Sequence, residues 1–290
     1  FGSVRIAREN INPIKRFKAL INGKDVAAEF IWAVTSRVLL YSANRLPEIA
    51  DDIINIDNAM KWGFAWSKGP FEMWDDLGFH STAQRLISDG HTIPEWIQKM
   101  IDSGKSSFYR FVDGKECYFD PKSNSYRPIE NNEKVLSFDI LKKNNKLIKS
   151  DWSASLVDLG DGIAAIEFHS ILKAELNPID GSIMQSIQNA INWVGDNGYN
   201  GLVISGDGIN FSAGANLNLI LNASQRGDWD GIDLISKYMQ DITQAVRFAP
   251  FPVVAAPFGL VLGGGYEVIG ACDKIIAAAE SYIGLVEVGV

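Results

Sequence analysis

Two carboxylates stand alone among apolar residues near the C-terminal end of the chain. Glu267 follows Leu262-Gly263-Gly264-Gly265-Tyr266, and Glu287 interrupts the run from Tyr282 to Val290. Isolated acids in such surroundings suit the holding and moving of a proton. The neighbours Val261, Leu262, Tyr266, Val268 and Ile269 predict that Glu267 is shielded from water. Three glycines at a helix start are unfavourable, each by ~0.5–1 kcal/mol relative to Ala within a helix, and are tolerated where backbone must approach a ligand or another segment. A second glycine-rich loop, Gly206-Asp207-Gly208-Ile209-Asn210-Phe211-Ser212-Ala213-Gly214-Ala215-Asn216-Leu217, follows the apolar strand 201–205. Taken singly, each feature has a plainer reading: a tight strand-to-helix turn, an acid in an exposed first helical turn, an outward strand residue. Together they point to acid/base chemistry beside backbone N–H groups that hold an oxyanion.

Other chemistries find little support. His80, His91 and His169 are scattered, no Ser sits in GxSxG, and Cys117 and Cys272 form no CxxC, so neither a hydrolase triad nor a metal site is expected. Gly160-Asp161-Gly162-Ile163-Ala164-Ala165 fits GxGxxA, but the residues after it read as strand, whereas a dinucleotide fingerprint requires strand, turn and helix. The stretch is expected to be a hairpin turn. With 27 Lys+Arg against 35 Asp+Glu the net charge is −8, which argues against a general nucleic-acid binder. No uninterrupted apolar run reaches the ~18 residues of a membrane span. Two free thiols suit a reducing, cytoplasmic compartment.

The elements that must position these residues fall into two halves. The first hundred residues read as helix: Asp25 caps a run through Asn44 with Phe30, Ile31, Val34, Val38 and Leu39 at helical spacing, and further helices cover 55–64, 70–78, 81–88 and 94–101. A hairpin turns at Asp113-Gly114. Residues 121–152, rich in Pro, Asn and Lys, read as a linker with one short strand, 135–138. Beyond Trp152, strands at 155–159, 163–168, 201–205, 253–256, 274–278 and 282–286 alternate with helices at 178–194, 231–246 and 263–272, the pattern of an α/β domain.

Residues 153–290 resemble the enoyl-CoA hydratase/isomerase (crotonase) superfamily. The likeness rests on Lys173-Ala174 with Leu176-Asn177, on 211–217, on Gly263-Gly264-Gly265-Tyr266-Glu267, and on Gly284-Leu285-Val286-Glu287-Val288-Gly289. It implies a spiral of ββα turns. It also implies an oxyanion hole from the N–H groups of Ala215 and Gly264, catalytic Glu267 and Glu287, and a coenzyme A contact at Lys173, Ala174 and Leu176. Asn216 stands where the family commonly has Asp. Residues 51–73, with Gly63, Gly69, Pro70 and Phe71, resemble the C-terminal helical domain of 3-hydroxyacyl-CoA dehydrogenases.

The expected architecture is therefore multi-domain, α then α/β: a helical dehydrogenase-type domain over 1–120, a linker over 121–152, and a truncated crotonase domain over 153–290. The chain starts without Met and ends in an apolar strand, so it reads as a piece cut at both ends. The resemblances imply a bifunctional fatty-acid β-oxidation enzyme that hydrates 2-enoyl-CoA and oxidises the product with NAD. The NAD domain and dehydrogenase catalytic residues would precede Phe1. They also imply an acyl-CoA substrate, no metal, and a homo-oligomeric parent. This piece by itself is expected to be weakly active or inactive. An enoyl-CoA isomerase, and a non-catalytic docking scaffold, remain as alternatives.

Overall fold

The computed structural model describes residues 1–290 except 11, 131–134, 171, 172, 174 and 288–290. The chain forms two compact units, Phe1–Asn131 and Asn132–Val290.

In the first unit, α1 (Gly2–Glu9), α2 (Pro13–Ile21) and α3 (Val26–Asn44) precede α4 (Ile53–Phe64), α5 (Pro70–Leu77), α6 (Phe79–Ser88) and α7 (Glu95–Asp102). Side chains cap several of them: Asp25 accepts from Ala28 N at 3.0 Å and Asp52 from Asn55 N at 2.8 Å. The buried face of α3 is Ala28, Trp32, Thr35, Ser36, Leu39 and Ala43. Of the apolar stripe read from sequence, Leu39 is buried, while Phe30 is 64% and Val34 48% exposed. By length and composition α3 could cross a membrane, a property that uninterrupted apolar runs do not register; its Trp32, Leu39 and Ala43 belong to the helical core. That core centres on Phe108, which meets Phe71, Trp74 and Phe79 edge-on at 5.1, 5.4 and 5.1 Å. The expected hairpin is β1 (Tyr109–Val112) with β2 (Lys115–Asp120), extended by β3 (Ser125–Pro128).

The second unit starts with α8 (Phe138–Lys143) and β4 (Leu147–Ser150). The span 121–152 thus holds ordered elements: β3 completes the sheet of the first unit, and α8 and β4 belong to the second. The strand expected at 135–138 does not form: 135–137 carry no regular structure, and Ser137 caps α8, accepting from Ile140 N, so that Phe138 opens a helix. There follow β5 (Ala154–Gly160), β6 (Ile163–Phe168), α9 (Gly181–Asp196), β7 (Gly201–Ser205), α10 (Leu217–Gln225), α11 (Trp229–Arg247), β8 (Val253–Ala255), β9 (Leu260–Leu262), α12 (Gly264–Gly270), β10 (Lys274–Ile275) and β11 (Tyr282–Gly284). The main sheet runs β10-β8-β7-β6-β5-β4, antiparallel from β4 to β6 and parallel from β6 to β10.

A second set of strand contacts sits beside the first. β9 pairs in parallel with β11, and isolated parallel bridges join Ser212 to Val261 and Ile179 to Ala215. After β6, β7, β8 and β10 the chain contributes in turn Ile179, the loop 211–215, β9 and β11 to this set. The first three turns therefore run strand, second strand or bridge, then helix, and β10 with β11 begins a fourth, in keeping with the spiral implied by the resemblance. Alternation along the strands aims Leu156, Ala164 and Ile166 at α9 and Val157 and Ala165 at Phe138 of α8. Gly160 to Gly162 form the β5–β6 hairpin turn, with Gly160 at φ 92° and Gly162 at φ 73°.

Candidate active site

The glycine-rich loop after β7 is pinned on both sides by backbone hydrogen bonds. Ser212 N donates to Leu260 O and Leu262 N to Ser212 O, both at 3.0 Å; Ile179 N donates to Gly214 O at 2.8 Å and Asn216 N to Ile179 O at 3.3 Å. A parallel bridge uses the groups flanking the paired residue. Ala215 therefore keeps its own N–H directed away from Ile179, and among the described residues that N–H donates to no acceptor. Gly264 opens α12, so its N–H has no carbonyl one turn back to meet.

The three glycines have separate reasons. Gly263 has φ 50° and ψ −120°, a conformation open to glycine. A Cβ at Gly265 would lie 2.8 Å from Ser212 Cβ and 2.9 Å from Ser212 O, so α12 packs against the loop through bare backbone. A Cβ at Gly264 would meet no such obstacle: it would lie 3.4 Å from Ala215 N, 3.6 Å from Met239 Cε and 3.8 Å from Glu267 Oε2. Ala215 N, Met239 Cε and the Glu267 carboxylate thus lie around the place that a Cβ on Gly264 would take.

Glu267 reaches that point because it lies three residues after Gly264, one turn along the same helix face. Helical periodicity sends Val268 and Ile269 into the core and leaves Glu267 exposed. The expectation that Glu267 is shielded from water is corrected by this: apolar neighbours in sequence are not its neighbours in space. Glu287 is exposed as well, and its Oε1 would lie 2.6 Å from a Cβ on Gly263. The two carboxylates therefore flank consecutive glycines at the start of α12.

Two cavities meet at Ala215 and Asn216. One, of about 450 Å³, is lined by Gly264 and Glu267 and by apolar side chains of α10 and α11. The other, of about 460 Å³, is lined by Lys173, Leu176, Gly214 and Leu217. Lys173 and Leu176 thus share a cavity with Ala215, while Ala174 lies outside the described residues. A molecule with an apolar tail and a bulky polar head, joined at a carbonyl, would place the carbonyl where the cavities meet.

Asn177, quoted in the sequence only as part of a matching stretch, has the largest positioning role. It is 2% exposed and sits at φ 47°. Its Oδ1 accepts from Ser170 N at 2.8 Å, and its Nδ2 donates to Phe168 O at 3.2 Å and Phe211 O at 2.9 Å. One amide therefore joins the end of β6, Ser170 and the glycine-rich loop at Phe211. Asn210 adds a second clamp, donating to Glu175 O at 2.7 Å and accepting from Leu260 N at 2.8 Å. Sequence reasoning passed over Met239, whose position depends on how α11 packs. The signal for Asn177 was an Asn, a residue tolerant of left-handed backbone, ahead of Pro178.

Residues 158–290 match the enoyl-CoA hydratase/isomerase family. Over 275 residues, 95% of the chain and 34% of the relative, the chain is 43% identical to a probable 3-hydroxyacyl-CoA dehydrogenase of Bacillus subtilis. Over 271 residues, 93% of the chain and 34% of the relative, it is 24% identical to a putative fatty acid oxidation complex trifunctional enzyme of Rickettsia prowazekii. Both alignments run through the two units, and the chain spans about a third of the length of these relatives. An enoyl-CoA hydratase/carnithine racemase structure from Magnetospirillum magneticum is similar with a TM-score of 0.44 and 22% identity, over 50% of this chain and 55% of that one.

Proposed function

We propose that the second unit adds water across the C2=C3 bond of 2-enoyl-CoA thioesters, as a step of fatty-acid β-oxidation. The observation that carries this reading is that Ala215 N and the Glu267 carboxylate lie 3.4 and 3.8 Å from one place beside Gly264, at the start of α12. Coenzyme A lies on the Lys173, Ala174 and Leu176 side, and the acyl group enters the apolar cavity. As water attacks C3, negative charge moves onto the thioester oxygen. Two fixed N–H donors stabilise that enolate without rearranging, and losing one such donor typically costs ~10²–10³ in rate. Glu267 orients the water and takes its proton as the C3–O bond forms, and Glu287 delivers a proton to C2. The product is the 3-hydroxyacyl thioester, with one water consumed.

The whole protein, on this reading, is a 3-hydroxyacyl-CoA dehydrogenase with a fused hydratase, and the helical unit is the dehydrogenase's C-terminal-type domain. It works in the cytoplasm as a homo-oligomer; the buried free thiols Cys117 and Cys272 suit that reducing compartment. NAD would serve the dehydrogenase step. The residues present do not fit NAD: the GxGxxA stretch is a strand-to-strand turn with no helix N-terminus for a pyrophosphate. No step is assigned to NAD on this chain.

The test is hydration of crotonyl-CoA by the full-length protein carrying Glu267→Gln or Glu287→Gln. Each is expected to lose on the order of 10²-fold or more in kcat, the usual worth of a positioned acid or base. Glu287→Gln within about threefold of wild type would remove Glu287 from the mechanism. A Glu267 variant that still moves a 3-enoyl double bond to C2 at the wild-type rate would favour an isomerase. Absence of saturable heat on titrating acyl-CoA would favour a scaffold.

A further inference from the structure

The cavity beside Glu267 extends further than the reacting carbons require. Met239 Cε would lie 3.6 Å from a Cβ on Gly264, so α11 meets the reaction point at Met239. From there the lining continues back along one stripe of α11 through Tyr238, Ile235 and Leu234, facing Leu219 and Ile220 of α10. Leu234 and Leu219 are 68% and 47% exposed, large apolar side chains on the wall of an open groove. Away from Asn216 and Glu267, which stand at the reaction point, charged groups of the same wall are already engaged. Lys237 is paired with Asp241 at 2.9 Å, and Asp180 accepts from Ile183 N at 2.9 Å. What the groove leaves unmatched is hydrocarbon.

We infer that this site takes enoyl thioesters with an unbranched acyl tail of roughly ten carbons, laid along α11 from Met239 to Leu234. The inference rests on the hydratase reading above and adds the substrate's length. Five residues of α-helix rise ~7.5 Å. An extended chain advances ~1.1–1.2 Å per bond, so that distance takes about six bonds. The carbonyl, C2 and C3 occupy the space at the N–H groups and Glu267. A tail that reaches Leu234 therefore belongs to an acyl group of about ten carbons, whereas a crotonyl group ends beside Met239. Each methylene moved from water onto these side chains favours binding by roughly fourfold.

The experiment is the ratio of kcat/KM across trans-2-crotonyl-, hexenoyl-, octenoyl-, decenoyl- and hexadecenoyl-CoA, measured on the full-length protein. The value is expected to rise by up to roughly fourfold per methylene as far as decenoyl and to gain nothing further at hexadecenoyl. Ile235→Trp, which fills the groove, and Leu234→Asp, at an exposed position that the fold tolerates, are each expected to lower the decenoyl-to-crotonyl ratio by at least roughly tenfold, the equivalent of about two methylenes left in water. Hydration in which crotonyl-CoA is turned over as well as or better than decenoyl-CoA would overturn the inference and leave the hydratase reading standing. A ratio unmoved by both substitutions would do the same. No hydration at any length would overturn both.

Discussion

Adding one methyl group at each of two adjacent glycines separates the chemistry of the site from its folding. In Gly264→Ala the new Cβ makes ordinary contacts, at 3.4 Å from Ala215 N, 3.6 Å from Met239 Cε and 3.8 Å from Glu267 Oε2. Its backbone is right-handed helical, so the substitution should leave stability unchanged or raise it by about 0.4–1 kcal/mol through the unfolded chain. The same methyl would lie beside Ala215 N and the Glu267 carboxylate, where the thioester oxygen is proposed to sit. Hydration of crotonyl-CoA should fall by ~10²–10³, the effect of losing an oxyanion donor. In Gly265→Ala the Cβ would lie 2.8 Å from Ser212 Cβ and 2.9 Å from Ser212 O, atoms at or next to the backbone that cannot swing aside, and α12 must move away from the loop. Overpacking of this kind costs about 1–3 kcal/mol, or roughly 2–4 °C in melting temperature per kcal/mol for a unit of this size. Activity should fall too, because a displacement of about 1 Å at a reacting centre can cost ~10². The assay is a thermal melt and a crotonyl-CoA hydration rate on each full-length variant. Gly264→Ala with near-wild-type turnover, or the two variants melting alike, would refute the argument.

Two further outcomes follow from side chains outside the reaction point. Asn177→Ala removes three buried hydrogen bonds and is expected to cost on the order of 3 kcal/mol by thermal melting; if Asn177→Gly recovers most of that loss, the left-handed backbone at φ 47° rather than the amide is responsible. In the helical unit, burial raises Asp57 to about 6 and Asp75 to about 7, against the hydrogen bonds that each accepts from Tyr109 or Phe108 and with like charge from Glu72 and Asp76 nearby. Folding therefore favours the protonated carboxyls. Their contribution is complete below the unfolded value near 4 and is lost as pH climbs through about 6 to 7. Amide exchange in α5, corrected for intrinsic rates, should be faster at alkaline than at mildly acidic pH in the wild-type chain and less pH-dependent in Asp75→Asn; a wild-type trend of the opposite sign would contradict this.

Much of the architecture was legible in the residues, because the interactions that set it are local. The cap at Asp25, Pro70 at the head of α5, and the glycine turns at Asp113-Gly114 and 160–162 act within a few residues, and the helices and hairpins appear where these place them. Local reasoning fell short where one cap or pairing decided between states. Residues 135–137, which looked like strand, pair with no strand among the described residues and lead into a helix capped by Ser137, and β3 and β4 found partners that a linker would lack.

The residue types for the chemistry, two lone acids and two bends of small residues, were visible in the sequence. Where those acids face was not, since apolar neighbours along α12 turn inward and carry Glu267 outward. The meeting of Ala215, Gly264, Glu267 and Glu287 was decided by parallel bridges between residues tens of positions apart, Ile179 with Ala215 and Ser212 with Val261, and by the close seat of Gly265 on Ser212. Spacing along a chain specifies periodic faces; which faces meet depends on strand register and on how closely two backbones can approach, and those are properties of the assembled fold.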